Sequence, residues 1–310
     1  MSHSDRPYSL YHLASCLSDR YDKRASTADL EEAIMLRRAA LDIRLMGHPD
    51  LSNSLDTLTI YLSDRYNKPA SIADLEETIT LSRTALDLHP TGHPNRSDSL
   101  HALALHLHDR YNKQATTADL EEAITLGRAA LDLRPTGHPD RAFSLHHLAL
   151  YLGDRYYNQA SIPDLEEAIT LGRAALELRP TGHPNRSDSL HHLALYLGDW
   201  YYNQASIPDL EEAITLGRAA LELHPTGHPN RSDSLHNLAL YLGDRYNKLA
   251  SIADLEEAIV LGRAALDLRP TGHPGRSDSL HNIALHLRDR YDTQATIADW
   301  RKPSRCVELR

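Results

Sequence analysis

The sequence predicts an all-α protein, a right-handed α-solenoid of antiparallel helix pairs with a 45-residue period. Gly-His-Pro recurs at Gly47, Gly92, Gly137, Gly182, Gly227 and Gly272, each 45 residues from the last. Asp-Leu-Glu-Glu keeps the same beat, starting at Asp29, Asp74, Asp119, Asp164, Asp209 and Asp254. Between these markers two apolar patterns with helical spacing alternate. A fixed period of this size marks a repeat array, in which each unit is stabilised by stacking on its neighbours.

The copy from Gly137 to Pro180 shows each element in turn. Leu145, Leu148, Ala149, Leu152 and Tyr156 fall at i, i+3, i+4, i+7 and i+11, one face of a first helix, helix A. Pro139 suits its first position, where a missing N–H costs nothing. Asn158 to Ala160 form a short polar break. Ser161 followed by Asp164 then reads as a capping-box-like start, and this pairing runs through all seven copies from Ser26/Asp29 to Thr296/Asp299. Pro163 is tolerated in the first turn.

Helix B follows, with Leu165, Ala168, Ile169, Gly172, Ala175 and Leu176 on one stripe. Asp164, Glu166 and Glu167 near its start and Arg179 near its end match the helix dipole. Pro180 and Gly182 stop it. One pair cannot bury both stripes alone, so pairs must stack. Gly127, Gly172, Gly217 and Gly262 sit inside helix B, where glycine costs about 1 kcal/mol relative to alanine. Either a neighbouring helix crosses closely there, or the repeats were copied with a neutral glycine; Arg37 and Ser82 hold the position in earlier copies.

The run Leu145-His-His-Leu148-Ala149, then Leu165-Glu-Glu-Ala168, Ala175-Leu176 and Pro180, resembles the tetratricopeptide repeat. It is most similar to the kinesin-light-chain variety, with Leu235-His236-Asn237-Leu238-Ala239 the nearest copy. The array also resembles fungal tetratricopeptide proteins, some of which carry a C-terminal caspase-like (CHAT) domain. The period departs from the usual one because helix A runs on through Asp154-Arg155-Tyr156, and the helix B aromatic is replaced by Leu171-Gly172.

The repeats are expected to fill residues 3–300 as six complete helix pairs plus a truncated seventh, with 301–310 a divergent C-terminal tail. In the seventh copy helix A is expected from about Pro274 to Tyr291, with Pro303 too close to Thr296 for a full helix B. The uncapped end exposes Leu280, Ile283, Ala284 and Leu287 and invites self-association.

Several function classes are disfavoured. The net charge is −10, whereas nucleic-acid binding needs clustered Lys and Arg. No apolar run approaches the roughly 18 residues of a membrane span, and the first ten residues lack a signal-peptide core. Cys16 and Cys306 stand in different repeats, which fits a reducing, cytoplasmic location. The six Gly-His-Pro histidines, His48, His93, His138, His183, His228 and His273, are set one per repeat. They are too widely spaced to share a zinc ion and are read as turn residues. Ser189, Asp188 and His191 recur as a copied string, not as one asymmetric catalytic constellation. No enzyme activity, metal or cofactor is expected.

The candidate site lies on the other face of helix A. Leu150 is about 160° from Leu148 at 100° per residue, and Ile60, Leu105, Leu195, Leu240 and Leu285 extend it as an apolar ladder. His147, His192, Asn237 and Asn282 run beside it, followed by Asp109, Asp154, Asp199, Asp244 and Asp289. The resemblance implies that this face lines a concave, peptide-binding groove in which Asn237 and Asn282 contact a peptide backbone, a role from which His147 and His192 depart. The alternative is that the ladder packs helix A on helix A. The expected function is a protein-interaction scaffold for a neutral or basic peptide or helix with apolar anchors. The alternative is a regulatory or sensor fragment of a larger signalling protein.

Overall fold

The computed structural model describes residues 6–43, 51–67 and 71–300, and among these it forms thirteen α-helices and no strand. The A helices are α1 (Arg6–Arg24), α3 (Leu51–Asn67), α5 (Arg96–Gln114), α7 (Arg141–Gln159), α9 (Arg186–Gln204), α11 (Arg231–Leu249) and α13 (Arg276–Trp300). The B helices are α2 (Thr27–Ile43), α4 (Ile72–Asp87), α6 (Thr117–Asp132), α8 (Ile162–Glu177), α10 (Ile207–Leu223) and α12 (Ile252–Asp267). The chain divides into two compact units, Met1–Asn158 and Gln159–Arg310. In the first, α1 packs on α2, α3 on α4 and α5 on α6, and α2 and α4 each pack on the next A helix. In the second, each helix from α8 to α13 packs on its successor in the same way.

Stacking buries the stripes that the periodicity marks. Leu145, Leu148, Ala149 and Leu152 of α7 are buried, as are Leu210, Ala213, Ile214 and Ala220 of α10. Each leucine-sized side chain so buried contributes roughly 1.5–3 kcal/mol relative to exposure. Helix A starts later than its sequence suggests. In α7 the first helical residue is Arg141, and Pro139 lies in the preceding turn.

The A-to-B turn depends on an unusual residue. Ala25, Ala115, Ala160, Ala205 and Ala250 have φ of 51° to 55°, a left-handed conformation normally left to glycine. An L-residue there costs roughly 1–2 kcal/mol. The Asp of the expected capping box helps to hold this turn. Its main partner is an arginine of helix A nine residues earlier, through paired hydrogen bonds: Arg20–Asp29 at 2.7 and 2.5 Å, Arg110–Asp119 at 2.7 Å twice, and Arg245–Asp254 at 2.8 and 2.6 Å. The serine hydroxyl bonds the Asp N–H at Ser71 and Ser251, while Thr116, Ser161 and Ser206 make no such side-chain bond.

The seventh copy differs from expectation. α13 is one helix of 25 residues that passes through Ala295 and Thr296 without a break. Gln-Ala-Thr-Ile-Ala-Asp contains no Gly or Pro, so helical continuation is the local default, and the left-handed alanine elsewhere is imposed by pairing with helix B.

Glycine packing falls only partly where expected. A β-carbon at Gly262 would lie 3.0 Å from Ile283, a tight approach, but the other helix B glycines are less crowded. A β-carbon at Gly172 or Gly217 would meet Leu193 or Leu238 at 3.4 or 3.6 Å, which is ordinary contact. The equivalent Arg37 and Ser82 are buried in the same place with full side chains. The closer crossing is between A helices: a β-carbon on Gly198 would lie 2.3 Å from the ring of Tyr241, and one on Gly243 would lie 2.2 Å from His286. Tyr241 is 3% exposed and has little room to retreat. Gly198→Ala is therefore expected to destabilise the chain by about 1–3 kcal/mol through overpacking. Gly217→Ala should be neutral or stabilising by up to about 1 kcal/mol. Urea unfolding of both variants reads the contrast, and equal effects would refute this account of the packing.

Candidate functional site

Residues 147, 150 and 154 of α7 share one face of their helix, and the same holds for 192, 195 and 199 in α9 and for 237, 240 and 244 in α11. All of these residues are half-buried, as are Asn282 and Leu285 of α13. Ile60 of α3, on the same ladder, is 58% exposed. The ladder is thus partly covered and partly open.

Its polar neighbours are largely engaged. His147 Nδ1 lies 2.9 Å from the Phe143 carbonyl and His192 Nδ1 lies 2.8 Å from the Asp188 carbonyl, so each donates to its own helix. Asp154 meets His108 Nε2 at 2.5 Å, and Asp244 accepts the Tyr202 hydroxyl at 2.6 Å. Burial raises the Asp244 pKa, and the Tyr202 hydrogen bond opposes that shift. These carboxylates tie one A helix to the next. That role was missed in the sequence because the partners are 46 and 42 residues away.

A second feature arises where one copy breaks the pattern. Arg65 spans two carboxylates, Asp74 of its own repeat at 2.6 and 2.8 Å and Glu31 of the preceding repeat at 2.9 Å. Arg155 reaches Glu121 at 2.8 Å, and Arg290 reaches Glu256 at 3.3 Å. In α9 the position is Trp200, so the matching carboxylates, Asp209 and Glu166, have no such guanidinium. Both line a cavity of about 180 Å³, together with Trp200, Leu197, Ile169, Thr170 and Arg173. Arg173 is itself bonded to Glu212 at 2.6 Å. The sequence signal was Asp-Trp-Tyr standing in place of Asp-Arg-Tyr.

Two larger cavities open on the helix B side. One, of about 470 Å³, lies beside Arg38, Leu41, Leu81 and Glu77, and its equivalent of about 620 Å³ lies beside Arg218, Leu221, Leu261 and Glu257. An Arg–Glu pair bridges consecutive B helices in each, at 2.5 and 2.6 Å. Such pairs are about 40% exposed, so each contributes at most about 1 kcal/mol.

The histidines divide into classes. In the described Gly-His-Pro turns, Nδ1 of His93, His138, His183, His228 and His273 accepts the N–H two residues on at 3.1–3.2 Å. His48 lies outside the described residues. Others belong to the core: burial holds His106 at a pKa of about 4 and His191 at about 3. Ser189, Asp188 and His191 are not assembled for catalysis. Ser189 is buried and accepts from Arg179 at 2.6 Å, whereas His191 Nδ1 lies 3.0 Å from Ser234 Oγ. Among the described residues, Asp188, His224 and His228 form a group able to hold a metal ion, one that per-repeat spacing of the turn histidines does not reveal.

Recurring helix pairs, each buried against the next within its unit, make this an α-helical repeat protein of the solenoid class. The tetratricopeptide repeat family model matches residues 51–95, 142–185 and 231–275, so the chain carries tetratricopeptide repeats at these three places. Its structure is similar to the TPR-like repeats assigned to a kinesin light chain of Podosopora anserina. That match has 21% identity, 70% of this chain and 97% of that one covered, and a TM-score of 0.48. BtubC (BKLC) of P. vanneervenii matches at 14% identity, with 86% and 93% covered and a TM-score of 0.47. The human IFIT1 dimer with PPP-AAAA matches at 14% identity, with 92% and 55% covered and a TM-score of 0.52. The IFIT1 likeness speaks to fold alone. No curated protein sequence matches the chain, and no described helix is long and apolar enough to cross a membrane.

The Arg–Asp pair carries a pH signature. The hydrogen bond from Arg245 holds the Asp254 pKa below the usual carboxylate value, with burial opposing. A depressed folded pKa gives stability that is present above the unfolded value of about 4 and lost as pH falls through the folded one. Asp254→Asn should therefore cost about 1–3 kcal/mol at pH 7, with the difference from the parent shrinking below pH of about 4. Denaturant unfolding at pH 7 and at about pH 3 checks this; an undiminished difference in acid would refute it.

Proposed function

We propose that this chain, with its tetratricopeptide repeats, is a non-enzymatic, cytoplasmic interaction scaffold whose repeats occupy residues 3–300. It binds a segment of another protein along the helix A stripe, and the Trp200 cavity receives one basic side chain of that segment. The observation that carries this reading is the pair Asp209 and Glu166 beside Trp200, lining the place where sibling repeats hold their own guanidinium. An incoming Arg or Lys would meet two carboxylates and an indole face. A desolvated cation on an aromatic face is worth roughly 0.5–2 kcal/mol.

Asp199 of the stripe directly precedes Trp200 on α9, so the two point about 100° apart around the helix. In the second unit His192, Leu195, Asn237, Leu240, Asn282 and Leu285 supply apolar anchorage and amide groups along the stripe, and Asp199 and Asp244 keep its rim acidic. In the first unit His147, Leu150 and Asp154 make a patch of the same kind. Each leucine-sized anchor buried by a partner adds roughly 1.5–3 kcal/mol. A few of these with one cation give micromolar affinity. The excess of acidic over basic residues, 43 against 33, favours a neutral or basic partner.

Selection of a random peptide library on the full chain tests the proposal. Selected peptides should be enriched in Arg or Lys beside apolar residues. Trp200→Arg, which supplies the guanidinium from within, should weaken them at least about tenfold, as the loss of about 1.4 kcal/mol requires. Leu195→Asp with Leu240→Asp should abolish capture, and Asn237→Ala with Asn282→Ala should weaken it, with melting little changed. Peptides that bind all three variants like the parent would overturn the proposal.

A further inference from the structure

Arg134 and Arg269, just past the ends of α6 and α12, each reach back to a carboxylate of the same repeat's helix A. Arg134 lies 2.6 Å from Asp98, and Arg269 lies 2.5 Å from Asp233. The residue at this position after α10 is His224, and the matching carboxylate is Asp188. Imidazole is the shorter side chain, and its Nε2 stops 3.9 Å from Asp188 Oδ1. His224 is 0% exposed, and that Nε2 has no hydrogen-bond partner. Asp188 Oδ1 is left with the Asn230 side-chain amide at 3.4 Å. His228, from the following Gly-His-Pro turn, stacks on His224 with ring centroids 4.1 Å apart and planes 13° from parallel. One ligand atom from each of the three residues lies within 4.8 Å of the other two.

We infer that Asp188, His224 and His228 form a binding site for one divalent transition-metal ion of the zinc type. Two imidazoles and one carboxylate are the donor set that such ions prefer, and three protein ligands leave a fourth position for water. The supporting shell is already in place. His224 Nδ1 lies 3.0 Å from Ser234 Oγ, which lies 3.0 Å from His191 Nδ1. With the ion on Nε2, His224 Nδ1 carries the proton and donates to Ser234, whose hydroxyl donates on to His191. That relay fixes the tautomer and the ring orientation. The ion also restores the positive charge that Arg134 and Arg269 bring to their carboxylates.

Closure onto the ion requires the ligand atoms to draw in to about 3.4 Å from one another, the edge of a tetrahedron with bonds of about 2.1 Å. It also requires the His228 ring to rotate out of its stack on His224, because a metal lies in the plane of each imidazole that binds it. His228 is the ligand free to adjust, since it is half-buried in a turn and its Nδ1 bond to the Asn230 N–H is long, at 3.2 Å. The chain holds an internal comparison. His89 and His93 stack in the same way at 4.2 Å, and His89 Nε2 also has no partner, but Asn53 stands where the carboxylate would be.

The test uses the full chain, stripped with a chelator and titrated with zinc chloride by calorimetry, with the cobalt(II) absorption spectrum reporting coordination. One saturable site per chain is expected. Asp188→Asn should weaken zinc binding at least about tenfold. His224→Arg, the residue of the sibling repeats, should abolish the site while metal-free melting stays unchanged. His89→Arg should leave zinc binding as it is. A parent chain with no saturable site overturns the inference. So does zinc binding by both Asp188→Asn and His224→Arg that equals the parent's. Asp188 is 39% exposed at its side chain, so its variant decides the matter if His224→Arg fails to fold.

Discussion

The stacking of helix A on helix B sets where each repeat turns. In at least four copies a bidentate ion pair between an arginine late in helix A and the aspartate opening helix B braces that turn. The α9–α10 turn keeps its left-handed Ala205 with Trp200 in the arginine's place. The ion pair spans nine residues and closes over an alanine in the left-handed conformation, which on its own is a net cost. Burial of leucine and alanine stripes supplies most of the stabilisation, but burial is non-directional. Where it forms, the ion pair adds direction to that burial, because it aligns a guanidinium edge with both carboxylate oxygens in the turn geometry that stacking selects. α13 shows that the ion-pair residues alone do not make the turn. Its sequence carries the same Arg, Thr and Asp yet stays helical through that position, where no helix B follows among the described residues.

Because every copy must satisfy the same turn and the same stack, the informative positions are those where one copy departs. Trp200 removes an arginine and leaves Asp209 and Glu166 around a small cavity. His224 removes another and leaves a buried nitrogen 3.9 Å from a carboxylate. Both changes delete a positive charge from a place built to hold one. The repeat scaffold tolerates this because each interface is local, so the strain of one substitution does not propagate along the array.

In the proposed reading the helix A stripe serves two purposes at once. Leu150, Leu195 and Leu240 are half-buried, and the aspartates that follow Leu150 and Leu240 bond a neighbouring helix. A carboxylate already tied to His108 or Tyr202 offers a partner fewer free lone pairs, so its contribution to recognition is mainly its charge. The apolar contribution rests on the uncovered part of each leucine, and this favours a ligand that lies along several repeats instead of gripping one.

How much was legible in advance follows from the range of each interaction. Periodicity fixed the helix pairs, their order and their buried stripes, because Leu145, Leu148 and Leu152 lie on one face whatever surrounds them. It also placed the candidate stripe, since 147, 150 and 154 share a face by helical geometry alone. Tertiary structure decided what side chains meet across 34 to 47 residues. It moved the close helix crossing from Gly172 and Gly217 to Gly198 and Gly243, where a ring of the next repeat lies over the backbone. It gave the capping aspartates to arginines and joined His224 to Asp188 and His228. Sequence spacing sets direction along one helix, but distance between helices is set by the volumes of the side chains packed between them.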